Sequence, residues 1–445
     1  MQLTKLFKLK LSSFQIIILG FALLIVSGAL LLMLPIATVS GEVTPFADTL
    51  FTATSAACVT GLVVRDTGTY WSIYGKTIIL LLIQIGGLGV VTIAASLTLL
   101  SGKKISLMQR SWMQDAISAP SVGGIVRLTK FILQGTFIIE LAGALALIPV
   151  FLPDYGFRGV FLAIFHAVSA FCNAGFDLLG RNNDLYPSLV HYRANYWLNI
   201  VVMLLIIIGG IGFLTWQDIC QKRWHFRRYR LQSKVILLTT LLLIIFPAIF
   251  FYYVDFAALP TGERVITSLF QSVTPRTAGF NTVDIMSMSD SSRAIIVCLM
   301  LIGGSPGSTA GGFKTTTLAL LFANAFAAFH RKEEPILLNR RIENPIIRTA
   351  ATIFLMYLLL CLGGAIFIST YESLPLFTCI YETASAVGTV GLTLGLTPNL
   401  HIASKLVLIA LMFLGRVGAM TLIFAALNEK KLINSKLPKE QIMVG

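Results

Sequence analysis

The chain has 445 residues, of which 56% are hydrophobic and only 12% charged, a balance far outside the usual mix of a soluble domain. A spanning helix needs roughly 20 apolar residues, and the sequence offers many such runs with no region resembling a soluble domain, so 1–445 reads as a single membrane domain. The formal net charge of +14 does not point to nucleic acid, because the basic residues are gathered in a few loops between apolar runs.

Taken in chain order, Lys5, Lys8 and Lys10 precede an uncharged stretch from Leu11 to Gly41, too long for a cleaved signal sequence and therefore a first helix. The basic groups follow: Lys103, Lys104 and Arg110; Lys222, Arg223, Arg227, Arg228, Arg230 and Lys234; Arg331, Lys332, Arg340, Arg341 and Arg348; and Lys430, Lys431, Lys436 and Lys439. By the positive-inside rule all four groups and both termini lie in the cytoplasm, with an even number of spans between successive groups. This is the pattern of a multi-pass inner-membrane protein. The six cysteines and five histidines are scattered without C-x-x-C or H-x-x-x-H spacing, so neither a disulfide framework nor a resident metal or other cofactor is expected.

Each stretch between basic loops has the same order: apolar helix, half-length apolar segment, glycine turn, apolar helix. The units run 11–110, 111–230, 231–340 and 341–427, followed by a charged tail, 428–445. Their middles align as Phe51-Thr-Ala-Thr-Ser-Ala-Ala-Cys-Val-Thr-Gly61, Phe165-His-Ala-Val-Ser-Ala-Phe-Cys-Asn-Ala-Gly175, Phe270-Gln-Ser-Val-Thr-Pro-Arg-Thr-Ala-Gly279 and Tyr381-Glu-Thr-Ala-Ser-Ala-Val-Gly-Thr-Val-Gly391, the third being one residue shorter. The half-length segments, Pro45–Ala57, Gly156–Phe171, Gly262–Val273 and Leu374–Ala386, are too short to cross about 30 Å of hydrocarbon. They enter and turn back, which is tolerated only where protein or a water-filled cavity satisfies the backbone. The expected fold is an all-α integral membrane protein of four M1–P–M2 repeats around one central pore. Its eight crossing helices fall near 14–34, 76–100, 131–151, 196–218, 235–252, 293–322, 348–369 and 403–427.

A dehydrated cation needs a cage of oxygen dipoles, which extended backbone at the end of pore helices supplies. Glycine lets consecutive carbonyls turn inward without a Cβ clash. The candidate cation-binding filter is therefore Val59, Thr60 and Gly61; Asn173, Ala174 and Gly175; Thr277, Ala278 and Gly279; and Thr389, Val390 and Gly391. The second crossing helices carry their own repeated mark, Gly86-Gly-Leu-Gly89, Gly209-Gly-Ile-Gly212, Gly303-Gly-Ser-Pro306 and Gly415-Arg-Val-Gly418; small residues there suit close helix packing.

The run Ser55–Leu62, ending Val59-Thr-Gly-Leu62, resembles a degenerate potassium-channel signature. With the fourfold pattern, Pro275-Arg-Thr-Ala-Gly-Phe-Asn281 and the glycine-rich break in the third unit, nearly the whole chain resembles the Trk/Ktr/HKT superfamily, closest to its bacterial Ktr members. In that family glycine at all four filter positions accompanies potassium preference. The resemblance further implies a homodimer and a cytosolic ring of RCK-type nucleotide-binding domains, with sodium a candidate activator.

Gly303, Gly304, Ser305, Pro306, Gly307, Ser308, Thr309, Ala310, Gly311, Gly312, Phe313 and Lys314 interrupt the third second-crossing helix. Glycine costs about 1 and proline about 3 kcal/mol in a helix interior, so this stretch is expected to be unwound. It is not a phosphate-binding loop, because Phe313 separates Gly312 from Lys314 and no strand precedes it. Unwound backbone there suits a movable obstruction, and the resemblance assigns the gate to this loop. Arg416 is the one charge between Lys405 and Glu429, midway along the last helix, where arginine costs roughly 2.5–3.5 kcal/mol on insertion scales; it needs a partner, and the resemblance places it beside the loop, holding it closed. Arg276 is expected to brace the third filter segment through an acid such as Glu382 or Asp177. A secondary transporter working by alternating access usually shows inverted repeats, whereas these units all run the same way. An enzyme would need a catalytic constellation, and no such pattern is apparent.

Overall fold

The computed structural model describes residues 12–100, 105–117, 123–332 and 334–418. Lys5, Lys8, Lys10, Lys103, Lys104, the end of the 403–427 span and the tail 428–445 with its lysines lie outside the described residues. The helices are α1 (Ser13–Leu32), α2 (Phe46–Ala57), α3 (Ile73–Leu88), α4 (Val90–Leu100), α5 (Leu107–Ile117), α6 (Ile125–Tyr155), α7 (Arg158–Phe171), α8 (Tyr196–Gly210), α9 (Phe213–Lys222), α10 (Leu231–Val254), α11 (Thr261–Val273), α12 (Asp290–Leu301), α13 (Thr315–Phe329), α14 (Asn344–Glu372), α15 (Leu376–Gly388) and α16 (Ile402–Val417). Apart from a short antiparallel hairpin, β1 (Ile336–Leu337) with β2 (Arg340–Arg341), the described regular structure is helical.

Local chemistry explains where the helices start. Ser12 and Gln15 form a capping box on α1, and Ser72, Asn195 and Ser289 accept first-turn N–H groups of α3, α8 and α12, each satisfying a donor the helix cannot. Pro45, Pro260 and Pro375 open the short helices α2, α11 and α15, with a fixed φ suited to a helix start. By length and composition α1, α6, α10 and α14 can each cross a membrane, and so can two bent pairs if each counts as one span.

Those bent pairs differ from the sequence expectation of straight helices over 76–100 and 196–218. The α3–α4 path turns by 95° and the α8–α9 path by 100°. Gly89 and Gly212 sit at the breaks with φ of +87° and +89°, and Gly418, at the end of α16, repeats the geometry at +90°. An L-residue avoids this region of backbone space, so the last glycine of each motif breaks the helix while the first packs it. A Cβ on Gly86, Gly209 or Gly415 would lie 1.9–2.1 Å from the carbonyl oxygen of Ala57, Phe171 or Val387, in the last turns of the adjacent short helices.

The packing is cyclic. Helix α3 lies against α7, α8 against α11, α12 against α15, and α16 returns to α2. Each short helix is also held by the long helix before it, α1 on α2, α6 on α7, α10 on α11 and α14 on α15. The four short helices are therefore caged inside the molecule, and their C-termini meet near its centre. Because the gap at Gly86 admits no side-chain carbon, Gly86→Ala must push α3 off α2. Overpacking of this kind costs about 1–3 kcal/mol or more, and we expect a lower melting temperature and a reduced monodisperse fraction in detergent, measured by fluorescence-detected size exclusion after heating.

Candidate ion pathway and its obstruction

After each short helix the backbone repeats one conformation. Val59, Asn173, Thr277 and Thr389 have φ of 58°, 58°, 75° and 52°, and two residues later Gly61, Gly175, Gly279 and Gly391 have 91°, 68°, 79° and 95°. Left-handed backbone at a β-branched residue is unfavourable and persists only where the surroundings impose it. Here the short helices impose it through their own backbone and hydroxyl groups. The carbonyls of Ser55, Ser169 and Ser385 each accept an N–H from the residue before the glycine, Thr60, Ala174 and Val390, at 2.8 Å, and Thr274 accepts from Ala278 at 2.9 Å. The hydroxyls of the same four residues act next. Ser55 and Ser385 accept the N–H groups of Gly61 and Gly391 at 3.1 and 3.0 Å, whereas Ser169 and Thr274 donate to the carbonyls of Phe176 and Phe280 at 2.9 and 2.7 Å. The aligned segments contain this signal, a Ser or Thr six residues before the glycine (five in the shortened third unit), but the sequence reading gave it no role.

The four glycine segments close on one another. A Cβ on Gly61 would meet the Ala174 carbonyl oxygen at 2.4 Å, one on Gly175 that of Ala278 at 2.6 Å, one on Gly279 that of Val390 at 2.1 Å, and one on Gly391 that of Thr60 at 2.2 Å. Every contact joins one segment to the next in chain order and the fourth returns to the first. All twelve candidate filter residues thus belong to one ring of backbone with glycine at each joint.

At the side of the ring near α13 the segment 303–314 is unwound, as its glycines and Pro306 predict. Gly303 donates its N–H to the Phe313 carbonyl at 2.8 Å, closing the base of the loop, and the Ser305 and Thr315 hydroxyls meet at 3.1 Å. The loop reaches across to the helix break in α8–α9: Ser305 and Thr309 donate N–H groups to Gly210 and Gly209, Phe213 donates to Gly307, and the Thr309 hydroxyl donates to the Phe171 carbonyl at 3.0 Å. Toward the ring, a Cβ on Gly311 would collide with the Thr389 hydroxyl. On another face Gly307, Lys314, Arg416, Gly89, Gly418 and Asp115 line a cavity of about 210 Å³.

Arg416 clamps this loop. Its guanidinium donates to the Thr309 carbonyl and, through Nη2, to the carbonyls of Gly86 and Gly87 at 2.5 and 2.9 Å. The breaks in the helices leave carbonyls free to accept, which is how a partly buried arginine without a carboxylate is accommodated. Lys314 closes its own turn, donating from Nζ to Ala310 and Gly311 at 2.8 and 3.1 Å.

Arg276 departs from expectation. It is buried, but its Nη2 reaches only the Thr240 hydroxyl at 3.4 Å, and among the described residues it forms no ion pair. Glu382 instead accepts from the hydroxyls of Thr393, at 2.9 Å, and Thr397, and Asp177 accepts the Leu179 N–H at 3.0 Å. Both acids turn toward the loops that follow their own glycine segments. The sequence reading also assigned no partner to Glu140, which accepts from Gln84 of α3 at 3.1 Å beside Cys172 at the foot of the second segment. Ties between units surround the ring: Asp48 pairs with Lys405 of the fourth unit at 3.3 Å, besides Arg65 of its own unit at 2.9 Å, and Arg193 of the second unit pairs with Glu263 of the third at 2.6 Å.

Comparison with known proteins agrees with this architecture. The chain is 42% identical over 98% of its length to the potassium/sodium uptake protein NtpJ of Enterococcus hirae, covering 98% of that protein. It is 38% identical to Ktr system potassium uptake protein B of Bacillus subtilis, over 97% of this chain and 96% of that one. The crystal structure of the potassium transporter TrkH from Vibrio parahaemolyticus superposes with a TM-score of 0.74 over 94% of this chain and 85% of its own, at 18% identity, a likeness of fold. The model of the TrkH family, described as cation transport protein, matches residues 8–435, and the chain belongs to that family of ion transporters, which are not enzymes.

Proposed function

We propose that the chain is the potassium-selective translocating subunit of an uptake system, with four M1–P–M2 repeats surrounding a single pore. The observation that carries this reading is the closed ring of glycine segments: four stretches of backbone, each clamped by its own short helix, each with glycine where the neighbour's carbonyl approaches. Backbone carbonyls held at fixed spacing replace the hydration shell of a cation. The ordering cost is met in folding, so the ion encounters a preorganised cage. The printed names of the relatives, potassium uptake and potassium/sodium uptake, support a monovalent cation as cargo. The pore runs between the four segments, and the 303–314 loop, anchored by Arg416, is its gate.

In the cell the subunit sits in the inner membrane with both termini in the cytoplasm, as a homodimer docked on a cytosolic RCK-type nucleotide-binding ring. The relatives named as parts of a Ktr system support the existence of partner components. A partner that pulls on α13 would act directly on the loop, whose final residue Lys314 immediately precedes that helix.

Two substitutions test the pore and the gate separately. Serine at Gly61, whose φ is +91°, strains the backbone by about 1–3 kcal/mol and presses on Ala174. In a potassium-uptake-deficient bacterium, Gly61→Ser should lower preference for K⁺ over Na⁺ about tenfold, roughly 1.4 kcal/mol, in a competition assay; an unchanged preference returns these glycines to packing. Arg416→Gln leaves the ring intact but releases the loop, so initial K⁺ uptake should rise severalfold with the ion order preserved. A lower rate with altered ion order would instead put Arg416 in the conduction path.

A further inference from the structure

Away from the ring, two cavities meet on the outer side of the second unit. One, of about 390 Å³, lies at the start of α6 and is lined by Arg127, Arg230, Gln217 and Gln221 together with Gly123 and Gly124. The other, of about 470 Å³, lies farther along α6 between α8 and α9, lined almost wholly by apolar side chains including Ile138, Ile139, Ile208, Ile219 and Trp216. Phe131 and Cys220 line both, so the two adjoin and together form a groove with a cationic head and an apolar trough. Each part falls within the roughly 300–1,000 Å³ of ordinary ligand sites.

We propose that this groove binds an anionic phospholipid, its phosphate between Arg127 and Arg230 and one acyl chain in the trough beside Trp216. The charge at the head is available. Arg127 makes no ion pair among the described residues. Arg230 lies 3.7 Å from Asp218 and donates to Gln217 at 3.3 Å, but Asp218 is already satisfied by the Lys222 ammonium at 2.8 Å, the Arg230 backbone N–H at 2.9 Å and the Ser233 hydroxyl at 2.8 Å. That network fixes the turn from α9 into α10, so the Arg230 side chain is presented from a built loop, and Arg223, Arg227 and Arg228 lie exposed on the same turn. A lipid without a phosphate fills the trough and leaves the arginines unpaired, a zwitterionic headgroup brings its own cation against them, and a free anion pairs with the arginines and leaves the trough empty. A molecule with both a phosphate and an acyl chain satisfies both parts, and basic side chains at a membrane surface favour anionic headgroups.

The full chain reconstituted in phosphatidylcholine vesicles provides the test, with a minor fraction of phosphatidylglycerol or phosphatidylcholine brominated on its acyl chains as quencher of tryptophan fluorescence. We expect brominated phosphatidylglycerol to quench at least threefold more strongly than the brominated choline lipid. Trp216→Phe should remove that excess, showing which of the five tryptophans reports it. Arg127→Gln with Arg230→Gln should also abolish the preference, and Gly135→Leu should weaken it by narrowing the trough beside the Trp216 ring, which a Cβ at Gly135 would meet at 3.4 Å. Because Lys222 still pairs with Asp218, the double arginine variant keeps the loop, which its elution volume in detergent checks. Equal quenching by both lipids, insensitive to the arginines, means ordinary boundary lipid and overturns the proposal. Displacement of the preference by inorganic phosphate with no effect of Gly135→Leu means an anion site without a lipid and likewise overturns it. A change of oligomeric mass in the variants with quenching unchanged assigns the groove to a second copy of the chain.

Discussion

At four places in this molecule a carbonyl oxygen occupies the space where the preceding segment's glycine would carry a Cβ, and the rest of the architecture serves that contact. Backbone can approach backbone so closely only if each strand is held from behind. The short helices do this through residues at fixed distance from the glycine: a serine or threonine whose carbonyl and hydroxyl both bond the following turn. Those helices must in turn be crowded by their neighbours, which explains the second set of glycines at 86, 209 and 415, each flush against a carbonyl at a short helix's end. Two tiers of glycine contact therefore sit one behind the other, and a side chain in either tier displaces a strand.

The third unit breaks the symmetry. Where the other three units have a continuous helix up to their last glycine, this one leaves the helix at Ile302 and re-enters it at Thr315. The departure frees backbone groups from the helix, and the helix breaks of neighbouring units satisfy them: Gly209 and Gly210 accept from the loop, and Arg416 spans from Thr309 to Gly86 and Gly87. Apart from Phe313, which packs against the rings of Phe354 and Tyr357, the loop's anchors are hydrogen bonds to a few carbonyls. A segment held this way can be released by a modest free energy, since a net hydrogen bond is worth about 1 kcal/mol and one to a charged group about 1.5–3. The ring has no such freedom, being bounded by atoms at van der Waals limits.

Much of this was legible in the sequence, for identifiable reasons. Glycines in register across aligned segments, and a run of glycine and proline where a helix should continue, are local signals that backbone chemistry translates directly. The positions of α2, α7, α11 and α15 follow from segment length and polarity, within two residues of expectation at most ends. What the residues did not disclose is direction. Apolar periodicity is the same for a straight helix and for one turned by 95° at Gly89, so the breaks in α3–α4 and α8–α9 were hidden behind a motif read as packing. Arg276, beside the third filter segment, is expected to find an acid, yet Glu382 and Asp177 face their own loops. The Gln84–Glu140 contact joins helices of different units, and no spacing rule reaches across that distance.

The central claim is that the four glycine segments enclose a cation on their common axis. The most direct measurement is an experimental structure of the full chain with rubidium in place of potassium, located by its anomalous scattering. The account predicts rubidium on the axis, ringed by the carbonyls around Gly61, Gly175, Gly279 and Gly391, and its displacement when potassium is restored. Rubidium bound elsewhere, with the axis empty at saturating concentration, would contradict it.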